Sequence, residues 1–127
     1  AKRALLLNVS GAFHSPLMEE PAKQMAEALA HAEFNTKPVG PNVICNVTAD
    51  LVDDPSEFRS LLEAQLRNPV RWTESVGKMV ELGVDTVVEC GGGDVLSGLI
   101  RRVNKEIHCL KVADSESLEQ TKIALSS

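Results

Sequence analysis

The sequence of 127 residues is poor in aromatic side chains and contains no tyrosine. Aromatic residues make up 3% of the chain, so a core has to be built mainly from leucine, valine, isoleucine and alanine. Apolar residues nevertheless account for 43% and charged residues for 24%, an ordinary balance that argues against intrinsic disorder. The length is sufficient for one compact domain with its own core.

The chain is also poor in cysteine. Cys45, Cys90 and Cys109 lie far apart and form neither a C-x-x-C motif nor a Cys/His pattern of the kind that binds metals. This spacing predicts neither a disulfide framework nor a metal site, and it favours a reducing, cytoplasmic environment. We interpret all three cysteines as small buried hydrophobic residues.

Two further classes of protein are disfavoured by what the chain lacks. A formal net charge of −5 argues against a nucleic-acid-binding module, which normally needs a basic face. No apolar run reaches the roughly 20 residues that a membrane-spanning helix needs. The first residue, Ala1, is not a methionine, and we therefore expect the chain to be part of a longer protein.

What the sequence does contain is an alternation of apolar runs and amphipathic segments. The apolar runs predict strands, and the segments with apolar residues at i, i+3 and i+4 predict helices. The predicted strands cover residues 3–9, 42–48, 84–90 and 106–112, and the predicted helices cover about 18–33, 55–67, 72–82, a segment capped by Asp94, and SLEQTKIAL. This order predicts an α/β fold with a mostly parallel sheet and flanking helices.

The stretch GAFHSPLM places His14 just after the first predicted strand. Ligands and catalytic groups gather at the carboxyl ends of parallel strands, so His14 could serve as a general base. A loop histidine with a local hydrogen bond is the alternative, and position alone favours it. Ser15 precedes Pro16 and lies outside any G-x-S-x-G motif, so we predict that it starts a helix and is not a nucleophile.

The stretch GGGD, which begins at Gly91, lies between a predicted strand and a predicted helix. It could bind a phosphate, but the pattern lacks a third spaced glycine, and the charge of Asp94 would repel the phosphate. We therefore favour a tight turn over a nucleotide-binding loop. Five arginines could form a basic patch that binds an anionic partner, or they could equally lie on solvated helix faces. They are Arg3, Arg67, Arg71, Arg101 and Arg102.

Several blocks occur in an order and spacing that resembles a known family. They are SGAFHSPLM, a following helix, NVTA, QLRNPVRW and ECGGGDVLSGL. Together they resemble the C-terminal part of malonyl-CoA:acyl carrier protein transacylases, whose acyltransferase domain is α/β-hydrolase-like. The resemblance implies that residues 1–127 form the C-terminal part of that domain, with 1–9 as the strand that returns from a ferredoxin-like subdomain.

The resemblance implies roles for three residues. His14 would activate the nucleophilic serine and later the incoming thiol, and the backbone carbonyl of Gln65 would hold its other ring nitrogen. Phe13 would favour malonyl groups, because its ring fills the space of an α-methyl group. The selectivity from such a pocket is roughly 1–3 kcal/mol.

The resemblance also implies the reaction and the partners. A serine in a GHSxGE elbow would take the malonyl group from malonyl-CoA, and the phosphopantetheine thiol of acyl carrier protein would then remove it, in fatty acid biosynthesis. The coenzyme A thioester is a substrate, and no bound cofactor or metal is expected. This sequence contains no GHSxGE, so the serine is expected in a missing N-terminal part, and the segment alone should be inactive.

The sequence departs from the family pattern in the block ECGGGDVLSGL. It also leaves one alternative function open. Gly92 stands where the family usually has the proline of a G-P-G turn, which should make the turn less rigid. The alternative is a non-catalytic α/β domain that binds an acyl carrier or another chain.

Overall fold

The computed structural model describes residues 11–34 and 41–126, which fall into two compact units that divide between Arg71 and Trp72. The predicted strand 3–9, and with it the proposed return from a subdomain, lies outside the described residues. None of the helices within the described ranges is long and apolar enough to cross a membrane.

Two helices dominate the first unit, α1 (Glu19–Ala30) and α2 (Phe58–Ala64). Both follow a 3₁₀ turn that a proline opens, at Pro16–Met18 and Pro55–Glu57. A proline fits this position because the first N–H of a helix has no partner in any case. The helices predicted over about 18–33 and 55–67 are therefore present, each somewhat shorter than predicted.

The residue before each proline caps its turn. The Oγ of Ser15 accepts a hydrogen bond from the backbone N–H of Leu17, and Oδ1 of Asp54 accepts one from Ser56 at 2.8 Å. The backbone N–H of Ser56 lowers the pKa of the Asp54 carboxyl, and the Ser56 hydroxyl lowers it further. Ser15 thus starts its helix as predicted, and Asp54 has the same arrangement before α2.

The predicted strand 42–48 is wrong in its extent. Within 42–48 only Ile44–Cys45 (β1) forms a strand, and it pairs antiparallel with Asp50–Leu51 (β2). The chain reverses between them, where Ala49 adopts a left-handed backbone with φ 56° and its N–H donates to Cys45 O at 2.8 Å. The apolar pattern does not show this reversal, because the reversal depends on contacts outside the segment.

One such contact comes from a distant arginine. The backbone N–H of Arg71 donates to Asn46 O at 3.2 Å, and its guanidinium donates to Thr48 O at 2.7 Å. The turn carbonyls are thereby satisfied by a residue more than 20 positions away.

The second unit alternates helices and strands in the predicted order. Its elements are α3 (Trp72–Glu81), β3 (Thr86–Cys90), α4 (Val95–Val103), β4 (His108–Val112) and α5 (Ser115–Leu125). Strands β3 and β4 are parallel, in a register that runs from Thr86 opposite His108 to Cys90 opposite Val112. This pair confirms the predicted α/β class, and α4 is the crossover that a parallel pair requires.

The core of the second unit lies where α3, α4 and the start of β4 meet. Val76, Ile100 and Ile107 are buried there, and Trp72, Val87 and Cys109 pack around them. Gly83, with φ 82°, lies just beyond the end of α3, where a left-handed glycine commonly ends a helix.

Candidate functional site

His14 is held by a carbonyl that lies 51 positions away in the sequence. Its Nδ1 is 2.8 Å from the backbone oxygen of Gln65. A carbonyl oxygen can only accept a hydrogen bond, so Nδ1 must carry the proton and donate it. In neutral His14 this leaves Nε2 with a free lone pair, as a general base requires. Within the described ranges, no other hydrogen bond engages the exposed imidazole of His14.

The backbone of His14 is left-handed, with φ 57°. This conformation costs a residue other than glycine roughly 1–2 kcal/mol, because Cβ crowds the following carbonyl oxygen. Such strain persists only where the surroundings enforce it, and it is concentrated at functional sites. The contact with Gln65 is one such constraint.

The carbonyl of Gln65 is available because of a proline. If α2 continued past Ala64, this carbonyl would accept the N–H of residue 69, and Pro69 has none. The backbone and side-chain nitrogens of Asn68 both donate to Ala64 O, at 3.1 and 2.7 Å. Asn68 and Pro69 of the QLRNPVRW block thus end the helix so that no backbone N–H of a further turn donates to Gln65 O. This oxygen accepts the hydrogen bond from His14 instead.

Ser15 is engaged in structural hydrogen bonds. Its hydroxyl donates to Ala12 O at 2.6 Å and accepts from the Leu17 N–H at 3.3 Å. Because the hydroxyl proton is committed to a carbonyl, His14 does not activate it. The structure therefore separates the two neighbours, and Ser15 starts the helix as predicted.

Phe13 is 62% exposed, and its ring lies against the backbone of Gly11. A Cβ added to Gly11 would lie 2.8 Å from Cε2 of the Phe13 ring, which is closer than real Cβ contacts come. The ring can hold this position only because residue 11 has no side chain. Sequence reasoning missed this role of Gly11, and the selectivity role of Phe13 stays a prediction.

The predicted basic patch is partly consumed by internal contacts. Arg67 pairs with Glu19 and Glu63, and Arg71 donates to Thr48 O. Arg101 and Arg102 are exposed in the last turn of α4, and Arg3 lies outside the described residues.

The helix start at α4 differs from the prediction. The side chain of Asp94 makes no capping hydrogen bond. The carboxylate of Glu89 on β3 caps the helix in its place. It accepts hydrogen bonds from the N–H groups of Leu96 and Ser97 at 3.0 and 2.9 Å and from the Ser97 hydroxyl at 2.6 Å. Sequence reasoning missed Glu89, because a cap from a neighbouring strand lies outside the local window in which capping residues are sought.

The Glu89 contacts also bear on the GGGD turn. The Ser97 hydroxyl, followed by the Ser97 N–H, lowers the pKa of the Glu89 carboxyl, which is therefore ionised near neutral pH. A phosphate at the start of α4 would have to displace this carboxylate from the same N–H groups. Gly91 and Gly93 have φ values of 133° and 115°, so the turn uses the backbone freedom of glycine. The structure supports a tight turn.

The cysteines are all free, but their burial differs from the prediction. Cys45 and Cys109 are half-buried, whereas Cys90 is exposed at the end of β3, so its interpretation as a buried hydrophobic residue is wrong. In residues 11–34 and 41–126, no group of three or more His, Cys, Asp or Glu side chains is arranged to hold a metal ion.

A cavity of about 350 Å³ lies in the first unit. None of the predicted site residues lines it. Its lining consists of Thr48, Asp50, Leu51, Glu57, Ser60 and Leu61.

Comparison with known proteins identifies relatives over most of the chain, although no protein-family model matches it. The malonyl CoA-acyl carrier protein transacylase of Bacillus subtilis is 41% identical over 119 residues, which are 94% of this chain and 37% of that protein. The enzyme of the same name from Haemophilus influenzae is 40% identical over 117 residues, 92% of this chain and 37% of that protein.

Solved structures agree with the sequence relatives. An acyl-carrier-protein S-malonyltransferase from Bartonella henselae superposes with a TM-score of 0.87 at 41% identity, over 99% of this chain and 40% of that one. The malonyl CoA-acyl carrier protein transacylase from Clostridium perfringens superposes with a TM-score of 0.85 at 34% identity, over 98% of this chain and 39% of that one. A malonyl-transacylase solved in complex with a type II polyketide acyl-carrier protein gives 0.83 at 38% identity, over 94% and 38%. The chain thus spans less than half the length of each of these relatives, as expected for a C-terminal part.

Proposed function

Because the chain is homologous to a part of the malonyl CoA-acyl carrier protein transacylases, we propose that it supplies the general base of such an enzyme. The complete protein would move a malonyl group from coenzyme A to the phosphopantetheine thiol of acyl carrier protein, in fatty acid biosynthesis. The observation that carries the proposal is the 2.8 Å contact between His14 Nδ1 and Gln65 O. This contact supports the proposal because it leaves Nε2 of the neutral ring unprotonated and available as a base.

The proposed reaction has two half-reactions of the same form. In the first, Nε2 of His14 takes the proton of the serine hydroxyl as the serine oxygen attacks the malonyl thioester carbon. The carbon–sulfur bond breaks, and the departing coenzyme A sulfur receives the proton. In the second, Nε2 takes the proton of the phosphopantetheine thiol as its sulfur attacks the malonyl ester. The serine oxygen leaves and receives that proton.

The Gln65 carbonyl contributes in both half-reactions. When Nε2 is protonated the imidazole is a cation, and its Nδ1–H donates more strongly to a carbonyl oxygen than a neutral ring does. The carbonyl therefore stabilises the state that forms during proton transfer and keeps the ring from turning. It does so without a buried carboxylate, whose own desolvation would cost free energy.

Phe13 follows from the same proposal as a selectivity residue. The Phe13 ring is exposed and lies one position before the proposed base. It would meet the carbon next to the thioester, where malonyl and methylmalonyl groups differ. The rejection of a methyl group would amount to roughly 1–3 kcal/mol.

The proposal includes the partners. They are malonyl-CoA as a substrate, acyl carrier protein as the acceptor, and the part of the protein that carries the nucleophilic serine. A cytoplasmic location is proposed with them, and the three free cysteines are compatible with a reducing compartment.

The test is a malonyl-transfer assay on the complete gene product with His14→Ala. General bases contribute about 10²–10⁴-fold to the rate, so we expect a loss of at least about 100-fold. His31→Ala is the matched control, because His31 is an exposed histidine at the end of α1 and should leave the rate unchanged. Unchanged turnover in His14→Ala would overturn the assignment. Carrier binding without transfer by the unmodified protein would favour the non-catalytic alternative.

A further inference from the structure

We propose that Arg67 is a positioning residue that holds the Gln65 carbonyl against His14. Its catalytic consequence rests on the proposed function, but its effect on the hydrogen bond of His14 does not. Arg67 touches neither group, and it would act through the two helices that carry them.

The guanidinium of Arg67 joins the beginning of α1 to the end of α2. Its Nη1 donates to Oε2 of Glu19 at 3.0 Å, and its Nη2 donates to Oε1 of Glu63 at 2.8 Å. Glu19 follows His14 by five positions, and Arg67 follows Gln65 by two. The ionic bridge and the His14–Gln65 hydrogen bond therefore connect the same two chain segments side by side.

The chemistry of the bridge requires arginine. A guanidinium presents separate N–H groups in a rigid fork and can serve two carboxylates at once, whereas an ammonium is a point charge on a flexible stem. The side chains of Arg67 and Glu63 are 34% and 32% exposed, so the inner arm of the bridge is shielded from water more than a typical surface pair. Glu19, at 52%, provides the more exposed arm.

The packed pair of helices α1 and α2 has a second arginine at its opposite end. This residue supplies a control. Arg59 donates through Nε to Leu29 O at 3.0 Å and through Nη2 to Ala32 O at 2.7 Å. Its guanidinium also lies over the ring of Phe34, 5.4 Å from the centroid. Arg59 thus ties the end of α1 to the start of α2, about a helix length from His14.

The two arginines allow a specific role to be separated from a structural one. If Arg67 only supports the packing of α1 against α2, its loss and the loss of Arg59 should disturb the hydrogen bond of His14 alike. If Arg67 positions the acceptor, only its loss should release the Nδ1 proton, which then distributes over both ring nitrogens. A misplaced catalytic group can lower the rate as much as 100-fold, and for this indirect effect we expect about tenfold.

The experiment uses the complete gene product with Arg67→Gln, Arg67→Lys, Glu19→Gln and Arg59→Lys. Ring ¹⁵N chemical shifts report the tautomer of His14, and transfer assays give kcat and KM for malonyl-CoA. We expect a mixed tautomer and a kcat about tenfold lower in both Arg67 variants, with KM changed less than twofold. Glu19→Gln keeps Arg67 and removes one arm, so it should show a smaller change of the same kind.

Arg59→Lys should keep the Nδ1–H tautomer and the kcat of the unmodified protein. An unchanged tautomer in Arg67→Gln would overturn the proposal, as would equal effects of Arg59→Lys and Arg67→Gln. If Arg67→Gln does not fold, Glu19→Gln decides by the same two readouts. Failure of the proposed function would show separately, as normal transfer by His14→Ala.

Discussion

Two of the described loops with a left-handed backbone place it on different kinds of residue. In the second unit, the turn between β3 and α4 places φ values of 133° and 115° on Gly91 and Gly93, which tolerate them. In the first unit, the loop before α1 places φ 57° on His14, which does not. One loop uses the residue that suits the conformation, and the other keeps a strained residue.

The contacts that hold the two loops differ as well. The glycine turn leads into a helix capped by Glu89, and the backbone N–H of Gly91 donates to Val112 O at 2.9 Å, next to the paired ends of β3 and β4. His14 is held by Gln65, 51 positions away. Main-chain contacts and a helix cap thus hold the glycine turn, whereas the strained backbone of His14 is held through its side chain, and strain at a residue other than glycine clusters at functional sites. This contrast supports the proposed role of His14 as a base and an architectural role for the glycine turn.

The largest effect on stability should come from placing a side chain in the glycine turn. Gly93→Ala forces a Cβ onto φ 115° and should lower the free energy of unfolding by about 1–3 kcal/mol. Gly92→Ala is the matched control, because the φ of Gly92 is outside the left-handed region and an added Cβ meets nothing within 4 Å. That variant should gain about 0.4–1 kcal/mol. Urea denaturation of both variants checks the contrast, and equal losses would remove the distinction.

The next effect should appear at the carbonyl that holds His14. Pro69→Ala creates an N–H four positions after Gln65, which can compete with Nδ1 of His14 for that oxygen. We expect malonyl transfer to fall about tenfold while the fold is retained. Pro55→Ala is the control, since Pro55 opens a 3₁₀ turn where a new N–H competes with nothing at the site. If both substitutions leave transfer unchanged, the proline does not protect the acceptor.

The smallest effect should be the pH-dependent contribution of Glu89. Its pKa is lowered in the folded state by the Ser97 hydroxyl and N–H, so its contribution to stability is fully present above the ordinary value of 4.5. The contribution is lost as the pH falls through the lowered pKa. Glu89→Gln should therefore be less stable than the parent at pH 7, and the difference should narrow on acidification. If the difference in the free energy of unfolding stayed constant with pH, the charge of Glu89 would not contribute to the cap.

Local patterns predicted most of the second unit. Each of its elements is encoded by its own periodicity and bounded by nearby glycine or aspartate, as at Gly83 and Asp114. Prediction was wrong where a distant residue decides. The Glu89 cap replaced the expected Asp94 cap, and the reversal at Ala49 shortened the strand predicted over 42–48.

The candidate site was predictable only in part for the same reason. Position made His14 a candidate base but by itself favoured a loop histidine with a local hydrogen bond, and no periodicity connects residue 14 with residue 65. The contact entered through the resemblance to the transacylases, and the structure contains it. The proposed roles of Pro69 and Arg67, and the space that Gly11 leaves for the Phe13 ring, follow only from the folded geometry, because the motifs do not show which atoms these residues contact.

The most direct test of the account is the tautomer of His14 in the complete, unmodified protein. Ring ¹⁵N chemical shifts, recorded at a pH where the imidazole is neutral, show which nitrogen carries the proton. The account predicts a proton on Nδ1, donated to Gln65 O, and an unprotonated Nε2. A proton on Nε2 would contradict this prediction. Nε2 would then have no lone pair to act as a base, and the contact between Nδ1 and Gln65 O could not be a hydrogen bond.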